Sequence, residues 1–305
     1  MENTVQPKPR RRAESELNPV LVKELRGRMR GARAFIMLTL YLLLLGCSML
    51  SIYSAYTNDN AGTDTTGLGQ TTFYGLTLIE LLTVAFLAPA FTAGAISGER
   101  ERQTYELLRT TLLSARKLVY GKLLSALTYM FLFIIVAVPL ESLAFIWGGV
   151  MVEELVLALV LLLVTALAFA SVGLFFSSLM RSTHSSTVLS DITVLLLAVG
   201  LPILSIILLL PFAFETDISW TAEVALVYLM FLALSISPIS AAIVTGSLIR
   251  EEDTILYFWY SLSAHTHSTN RVPVPFPWIM YTLLWLAITA ILLSVTISRV
   301  RAQEK

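Results

Sequence analysis

Six long apolar segments constrain the fold of this chain more than any other feature. Each is long enough for the roughly 20 helical residues that cross the hydrocarbon core of a bilayer. They cover approximately residues 34–56, 73–96, 118–147, 153–179, 187–213 and 276–298. Only 14% of the 305 residues are charged, and the mean hydropathy is +0.76. The sequence therefore predicts an all-α polytopic membrane protein, with one transmembrane domain of six transmembrane helices over residues 1–305.

The distribution of Lys and Arg predicts which side of the membrane each connection faces. Nine of the 21 basic residues lie in the first 34 positions, and six lie in the stretch 97–122. One follows the fourth segment and three follow the last, whereas the connection 57–72 has none. Since Lys and Arg accumulate on the cytoplasmic side, we predict a multi-pass protein of the cell membrane with both termini in the cytoplasm.

The N-terminal region divides into two parts. Residues 1–15 are basic and contain proline, which predicts a disordered tail. Residues 16–33 predict an amphipathic helix that lies on the inner leaflet, because Leu17, Leu21, Leu25 and Met29 recur at steps of four. The basic side chains of this helix, including Lys23, Arg26 and Arg30, occupy its other faces.

A seventh apolar segment, 222–249, leaves two topologies open. Pro238 divides it into pieces too short to span separately, and a proline removes one helical hydrogen bond. The segment is therefore either a broken seventh span or a re-entrant pair of helices that enters and leaves on the same side. Charge alone does not decide between these alternatives.

A polar island at 97–122 separates the second and third apolar segments. Its charged residues recur at helical steps of three and four: Glu99, Arg102, Glu106 and Arg109. Tyr105, Leu108 and Leu112 form a neighbouring apolar stripe, and Ser97 is the predicted N-cap. The island therefore predicts an amphipathic, water-exposed helix. A stripe of small residues on the fourth segment, around Gly173, predicts close helix packing.

Three carboxylates lie within apolar segments: Glu80, Glu141 and Asp191. Because a charge in hydrocarbon is costly, such residues commonly face a cavity or a partner. One hypothesis is that they line a substrate path; the alternative is that Glu141 and Asp191 are hydrated at the membrane interface. The sequence contains no phosphate-binding loop of the Gly-x-x-x-x-Gly-Lys type and no His-Glu-x-x-His motif. His265 and His267 are predicted to be solvated loop residues, and no metal site is expected.

The island also carries a resemblance to a known family. Its run SGERERQTYELL, continued by Thr110, Thr111, Leu113, Ser114 and Gly121-Lys122, resembles the cytoplasmic coupling segment of the permease subunits of type II ABC exporters. The match departs from the family pattern at Leu112, where a proline is usual. The resemblance implies that residues 97–117 dock on a separate cytoplasmic ABC ATPase. The docking side chains would be Glu99, Arg102, Thr104, Tyr105, Glu106, Leu108 and Arg109.

The same resemblance implies the rest of the assembly. Residues 16–33 would form the family's elbow helix, and 222–249 would be an outer re-entrant hairpin. ATP and Mg would bind to the ATPase and no cofactor to this chain, while a second permease subunit, identical or homologous, would complete the transporter. The partners would then be these proteins and the lipid bilayer, with no nucleic acid, and the activity would be export of an unidentified substrate.

Two other functions stay open at this point. The chain could be a structural or assembly subunit of a larger membrane complex, in which the island docks a partner without transport. It could also be a membrane-embedded enzyme that uses Glu80 or Glu141.

Overall fold

The computed structural model describes residues 32–60, 65–103, 114–209, 220–251, 255–261 and 271–302, together with Leu21, Glu24 and Gly27. In these ranges the helices are α1 (Ala32–Asn60), α2 (Thr65–Ala93), α3 (Ser97–Glu101), α4 (Ala115–Trp147), α5 (Val152–Leu179), α6 (Thr183–Leu195), α7 (Leu201–Leu209), α8 (Trp220–Leu234), α9 (Pro238–Ile249) and α10 (Pro277–Ala302). Six helical stretches in these ranges are long and apolar enough to cross a membrane. The prediction of an all-α multi-pass membrane protein is therefore confirmed.

The second span begins earlier than its apolar pattern indicates. Helix α2 begins at Thr65, within the segment that was predicted to be the connection 57–72. The first turns of α2 lie close to the turn that follows α4, where Gln70 Nε2 donates to the Gly149 carbonyl at 2.7 Å. A Cβ at Gly69 would lie 2.1 Å from the Gly148 carbonyl oxygen, so only glycine permits this approach. Residues 65–72 are mostly polar or glycine, so their composition did not indicate that they form helical turns.

Helices α2 and α5 form the centre of the bundle. Helix α2 packs against α1, α4, α5 and α6, and α5 also packs against α10. The tightest approach is at Gly173, where a Cβ would meet Thr92 Oγ1 at 2.2 Å and the Pro89 carbonyl oxygen at 2.8 Å. The small-residue stripe of α5 therefore serves packing within the monomer.

The apolar segment 222–249 is divided where Pro238 predicts. Helix α8 ends at Leu234 and α9 begins at Pro238, and the two axes are bent by 118°. Ser237 caps α9, since its Oγ accepts from the Ile239 amide at 3.2 Å. Trp285 Nε1 on α10 donates to the Ile236 carbonyl at 2.8 Å and holds the corner against the bundle. Re-entry from the outer side stays a prediction.

The fifth span contains a π-helical turn, Leu196–Gly200, between α6 and α7. Pro202 follows this turn and has no N–H to donate to the carbonyl of Ala198, four residues earlier. Ser237 Oγ donates to that carbonyl instead, at 2.7 Å. The corner of the bent helix pair is thus bonded to the irregular part of the fifth span.

A small β-hairpin precedes the last span. Strand β1 (Tyr257–Ser261) pairs antiparallel with β2 (Arg271–Pro275), so that Phe258 lies opposite Val274. Both side chains are buried in a cluster with Val227, Phe231 and Phe276. Alternation over only five residues, with prolines in β2, is too short a pattern to predict this pair.

Candidate functional site

The polar island begins with a short helix rather than a continuous one. Helix α3 ends at Glu101, and Gln103 takes a left-handed φ of 55°. The next helix in the described part of the chain, α4, begins at Ala115 after Ser114. The prediction of one uninterrupted helical face that joins Glu99 to the later charges is therefore wrong at Gln103.

The start of α3 is capped by another helix. The sequence predicted Ser97 as the N-cap, but Ile96 holds that position and has no side-chain cap of its own. Ser177 Oγ on α5 accepts from the amides of Ile96 and Ser97, at 2.8 and 3.0 Å. Ser97 Oγ instead donates to the Ala93 carbonyl at 2.9 Å. The predicted cap is thus wrong, and the fourth span satisfies the orphan donors at this helix end.

Lys122 joins three elements through one buried ammonium group. Its side chain is 2% exposed and lies seven residues into α4. Nζ contacts Glu99 Oε1 of α3 at 2.7 Å, the Ala95 carbonyl at 2.6 Å and Glu24 Oε1 at 3.4 Å. An ammonium has three N–H donors, and each finds an acceptor here. The buried charge is therefore paired, and it connects the predicted elbow region, the island and the third span.

The far end of α3 is bonded to the start of the fifth span. Glu101 accepts from the Thr183 amide at 3.1 Å and from Thr183 Oγ1 at 2.7 Å. Arg100 Nη1 donates to the Met180 carbonyl at 3.4 Å in the turn between α5 and α6. Glu101 is fully exposed, so water weakens this contact. Its geometry nevertheless fixes the island against a second span.

We name these residues the island junction: Glu24, Ser97, Glu99, Glu101, Lys122, Ser177 and Thr183. Four short contacts within it bond α3 to the third, fourth and fifth spans. The arrangement holds no reactive group in a cleft. The island junction can instead transmit a displacement of the island to three spans.

Most of the predicted docking side chains lie outside the described residues. These are Thr104, Tyr105, Glu106, Leu108 and Arg109 of the island, and Lys23, Arg26 and Arg30 of the elbow. Of the others, Arg102 is exposed and Glu99 faces Lys122. Leu21, Glu24 and Gly27 are helical, and Leu21 is buried. The docking and elbow roles stay predictions.

Sequence reasoning missed Lys122, Glu101, Ser177 and Thr183 as members of this site. Of these four residues, only Lys122 could have been predicted from the sequence, since a Lys within an apolar segment needs a buried partner. Ser177 and Thr183 are small hydroxyl residues of a common kind, and no local pattern shows that they meet the island.

The three intramembrane carboxylates separate into a pair and a single residue. Glu80 on α2 and Glu141 on α4 are 1% and 4% exposed and interact with each other. Asp191 on α6 is half-buried and lies apart from that pair. In the described residues no three His, Cys, Asp or Glu side chains are grouped as metal ligands would be, and His265 and His267 lie outside those ranges.

Comparison with known proteins gives one match. A family model described as ABC-2 family transporter protein matches residues 49–299, which is most of the 305-residue chain. A search of curated proteins found no match. The matched region includes all six candidate spans in whole or in part, and the island junction apart from Glu24. This membrane protein therefore belongs to the ABC-2 family of transporter proteins.

Proposed function

We propose that this chain is the permease subunit of an ATP-driven ABC exporter. A separate cytoplasmic ABC ATPase hydrolyses ATP, and this chain converts the resulting motion into export of a substrate. ATP and Mg bind to the ATPase, and the chain itself binds no cofactor and catalyses no reaction. Membership of the ABC-2 family supports the transport role, and the island junction supports the coupling role.

The observation that carries the proposal is the bonding of the island to the spans. A polar loop that only joined two helices would need no buried ion pair, whereas Lys122 is 2% exposed and bonded to Glu99. Removing one partner of a buried pair costs about 3–5 kcal/mol, so the two partners stay together when the island is displaced. A push on the island therefore moves the third span with it.

Coupling also requires that the ATPase bind one arrangement of the island better than the other, because a ligand with equal affinity for both shifts nothing. In this proposal Arg102, Glu106 and Arg109 orient the docked island, and Glu99 holds it to Lys122. Tyr105 and Leu108 supply its buried anchor. Thr104 belongs to the same surface. Lys23, Arg26 and Arg30 hold the elbow helix on the inner leaflet beside it.

The working unit includes a second permease subunit, identical or homologous. Within the monomer, 56% of the second and 61% of the fourth candidate span are buried, against 17% of the first and 11% of the fifth. The first and fifth spans therefore offer the largest uncovered apolar faces among the described helices, to lipid or to a partner subunit. Both termini lie in the cytoplasm, and Glu80, Glu141 and Asp191 are the candidate path residues.

The direct test removes the docking anchor. Glu106→Arg combined with Leu108→Ala should weaken recovery of the ATPase when this chain is purified from its native membrane in mild detergent. Protease protection should remain unchanged, because these residues lie in the polar island. The matched control is Glu153→Arg, an exposed carboxylate at the opposite end of the bundle, which should leave recovery intact.

Two outcomes would contradict the proposal. Undiminished recovery of the ATPase with the double variant would remove the docking role of the island. A stable complex that contains no nucleotide-binding chain would favour the structural or assembly function instead. ATP hydrolysis that rises with a candidate substrate would support transport.

A further inference from the structure

Three polar side chains from three different spans meet in the interior of the bundle. Tyr41 on α1, Glu80 on α2 and Glu141 on α4 are 4%, 1% and 4% exposed. Glu80 interacts with both Glu141 and Tyr41. We call this group the carboxyl pocket.

The carboxyl pocket has polar atoms without partners. Among the described residues, nothing hydrogen-bonds to Glu80 Oε1, Glu141 Oε1 or the Tyr41 hydroxyl. Ionised carboxylates have only acceptor atoms, so two of them cannot bond to each other. A buried polar group without a partner destabilises the fold by the full cost of removing it from water. The pocket is therefore short of a hydrogen-bond donor and of positive charge.

The surrounding helices do not supply that charge. Helix α9 has no titratable side chain, and α5 has them only at its first turn, where Glu154 is bonded to Tyr74. The titratable residues of α6 are His184 and Asp191. Those of α10 are Tyr281, Arg299 and Arg301. Tyr281 is bonded to Thr165. The other titratable residues of α1 and α4 are, in the order of the chain, Arg33, Cys47, Tyr53, Tyr56, Asp59, Arg116, Lys117, Tyr120, Lys122 and Tyr129. The interactions that act on Glu80 come from Glu141 and Tyr41.

We propose that Glu80 and Glu141 bind one proton between them. The proton is covalently held by an oxygen of one carboxyl group and donated in a hydrogen bond to an oxygen of the other. It comes from water and returns to water, so no other reactant is needed. The Tyr41 hydroxyl lies beside the negative charge that remains on the pair.

A proton fits this site better than a metal ion does. Small hard cations take about six or more oxygen ligands, whereas the pocket presents two carboxyl groups and one hydroxyl. Two carboxylates in contact cannot both ionise in a poorly solvated site, and sharing one proton is the simplest remedy. When the proton is bound, the carboxyl pocket holds α1, α2 and α4 together. When the proton is lost, two negative charges face each other between α2 and α4.

Infrared spectroscopy tests the proposal on the full chain in lipid vesicles at neutral pH. The wild type should show the carbonyl stretching band of a protonated carboxyl. The double variant Glu80→Gln with Glu141→Gln should lose that band, because amide groups supply the missing donors without a proton. Each single variant should shift it. The matched control Glu153→Gln changes an exposed carboxylate and should leave the band unchanged.

The wild-type spectrum alone makes the proposal falsifiable, even if a variant fails to fold. Absence of a protonated-carboxyl band in the wild type would overturn it, and so would an unchanged band in a folded double variant. Carboxylate bands that shift on addition of sodium would overturn it in favour of an alkali ion. None of these readouts involves the ATPase, so failure here is distinct from failure of the proposed transport function.

Discussion

Lys122 shows how one residue can determine the geometry of a connection. Its ammonium group contacts Glu99 at 2.7 Å and is shielded from water. Replacing Lys122 by Met would leave the Glu99 carboxylate facing an apolar side chain. We therefore expect Lys122→Met to lower the free energy of unfolding by about 3–5 kcal/mol, measured by thermal unfolding in detergent.

The control for this prediction lies on the same helix. Lys117→Met makes the same chemical change at an exposed position and should alter stability by less than about 1 kcal/mol. Adding Glu99→Gln to Lys122→Met should recover part of the loss, since the unpaired charge is then removed. Equal effects of the two Lys variants would show that the ion pair is not structural.

Ser177 carries a second prediction at the scale of the residue. Its hydroxyl accepts from the amides of Ile96 and Ser97, and loss of such a cap costs about 0.5–2 kcal/mol. Ser177→Ala should therefore speed hydrogen–deuterium exchange in the peptide that contains residues 96 and 97. Ser178→Ala is the matched control, because in the part of the chain that the structure describes Ser178 bonds within its own helix, to the Phe175 carbonyl. Faster exchange in both variants would contradict the capping role.

At the scale of the element, the contact of α2 with α5 depends on the absence of a side chain. Gly173→Ala would place a Cβ 2.2 Å from Thr92 Oγ1 and 2.8 Å from the backbone at Pro89. Because backbone cannot move aside easily, we expect a loss of about 1–3 kcal/mol. Gly46→Ala, where no atom lies within 4 Å of the new Cβ, should be neutral or slightly stabilising. The two melting temperatures test this, and equal shifts would contradict it.

Regular elements could be predicted, whereas their irregular ends could not. The fourth span was predicted at 153–179 and observed as Val152–Leu179, because its apolar run has polar residues on both sides. The break at Pro238 was equally clear, since proline is a local signal. The polar start of α2 at Thr65 and the end of α3 at Glu101 depend on contacts with distant residues. Such contacts leave no periodic pattern.

At the scale of the whole molecule, the arrangement of the spans places two groups of residues at opposite ends of the bundle. Arg181 is exposed beside the island junction, and Glu153 is exposed beside the bent helix pair. In a Cys47→Ser background, Arg181→Cys should react with a membrane-impermeant maleimide only in inside-out vesicles. Glu153→Cys should react only in intact cells. Labelling of both from the same side would refute the six-span topology.

The membership of the chain in a family could also be predicted from sequence, because the island motif is local and contiguous. The residues that bond the island to the bundle could not. Glu99, Lys122 and Glu24 lie in three elements, and their meeting depends on how the whole bundle packs. The sequence thus indicates the docking surface of the island, but it does not indicate which residues attach the island to the bundle.

The π-helical turn of the fifth span sets the rotation of α7 relative to α6. A π turn holds one residue more than an α turn, so rewinding Leu196–Gly200 as regular α-helix would rotate α7 by about 100° relative to α6. The Ala198 carbonyl, which no proline nitrogen can engage, would then swing away from Ser237. A change of pitch inside the fifth span would thereby break its hydrogen bond to the corner between α8 and α9, with no hinge loop between them.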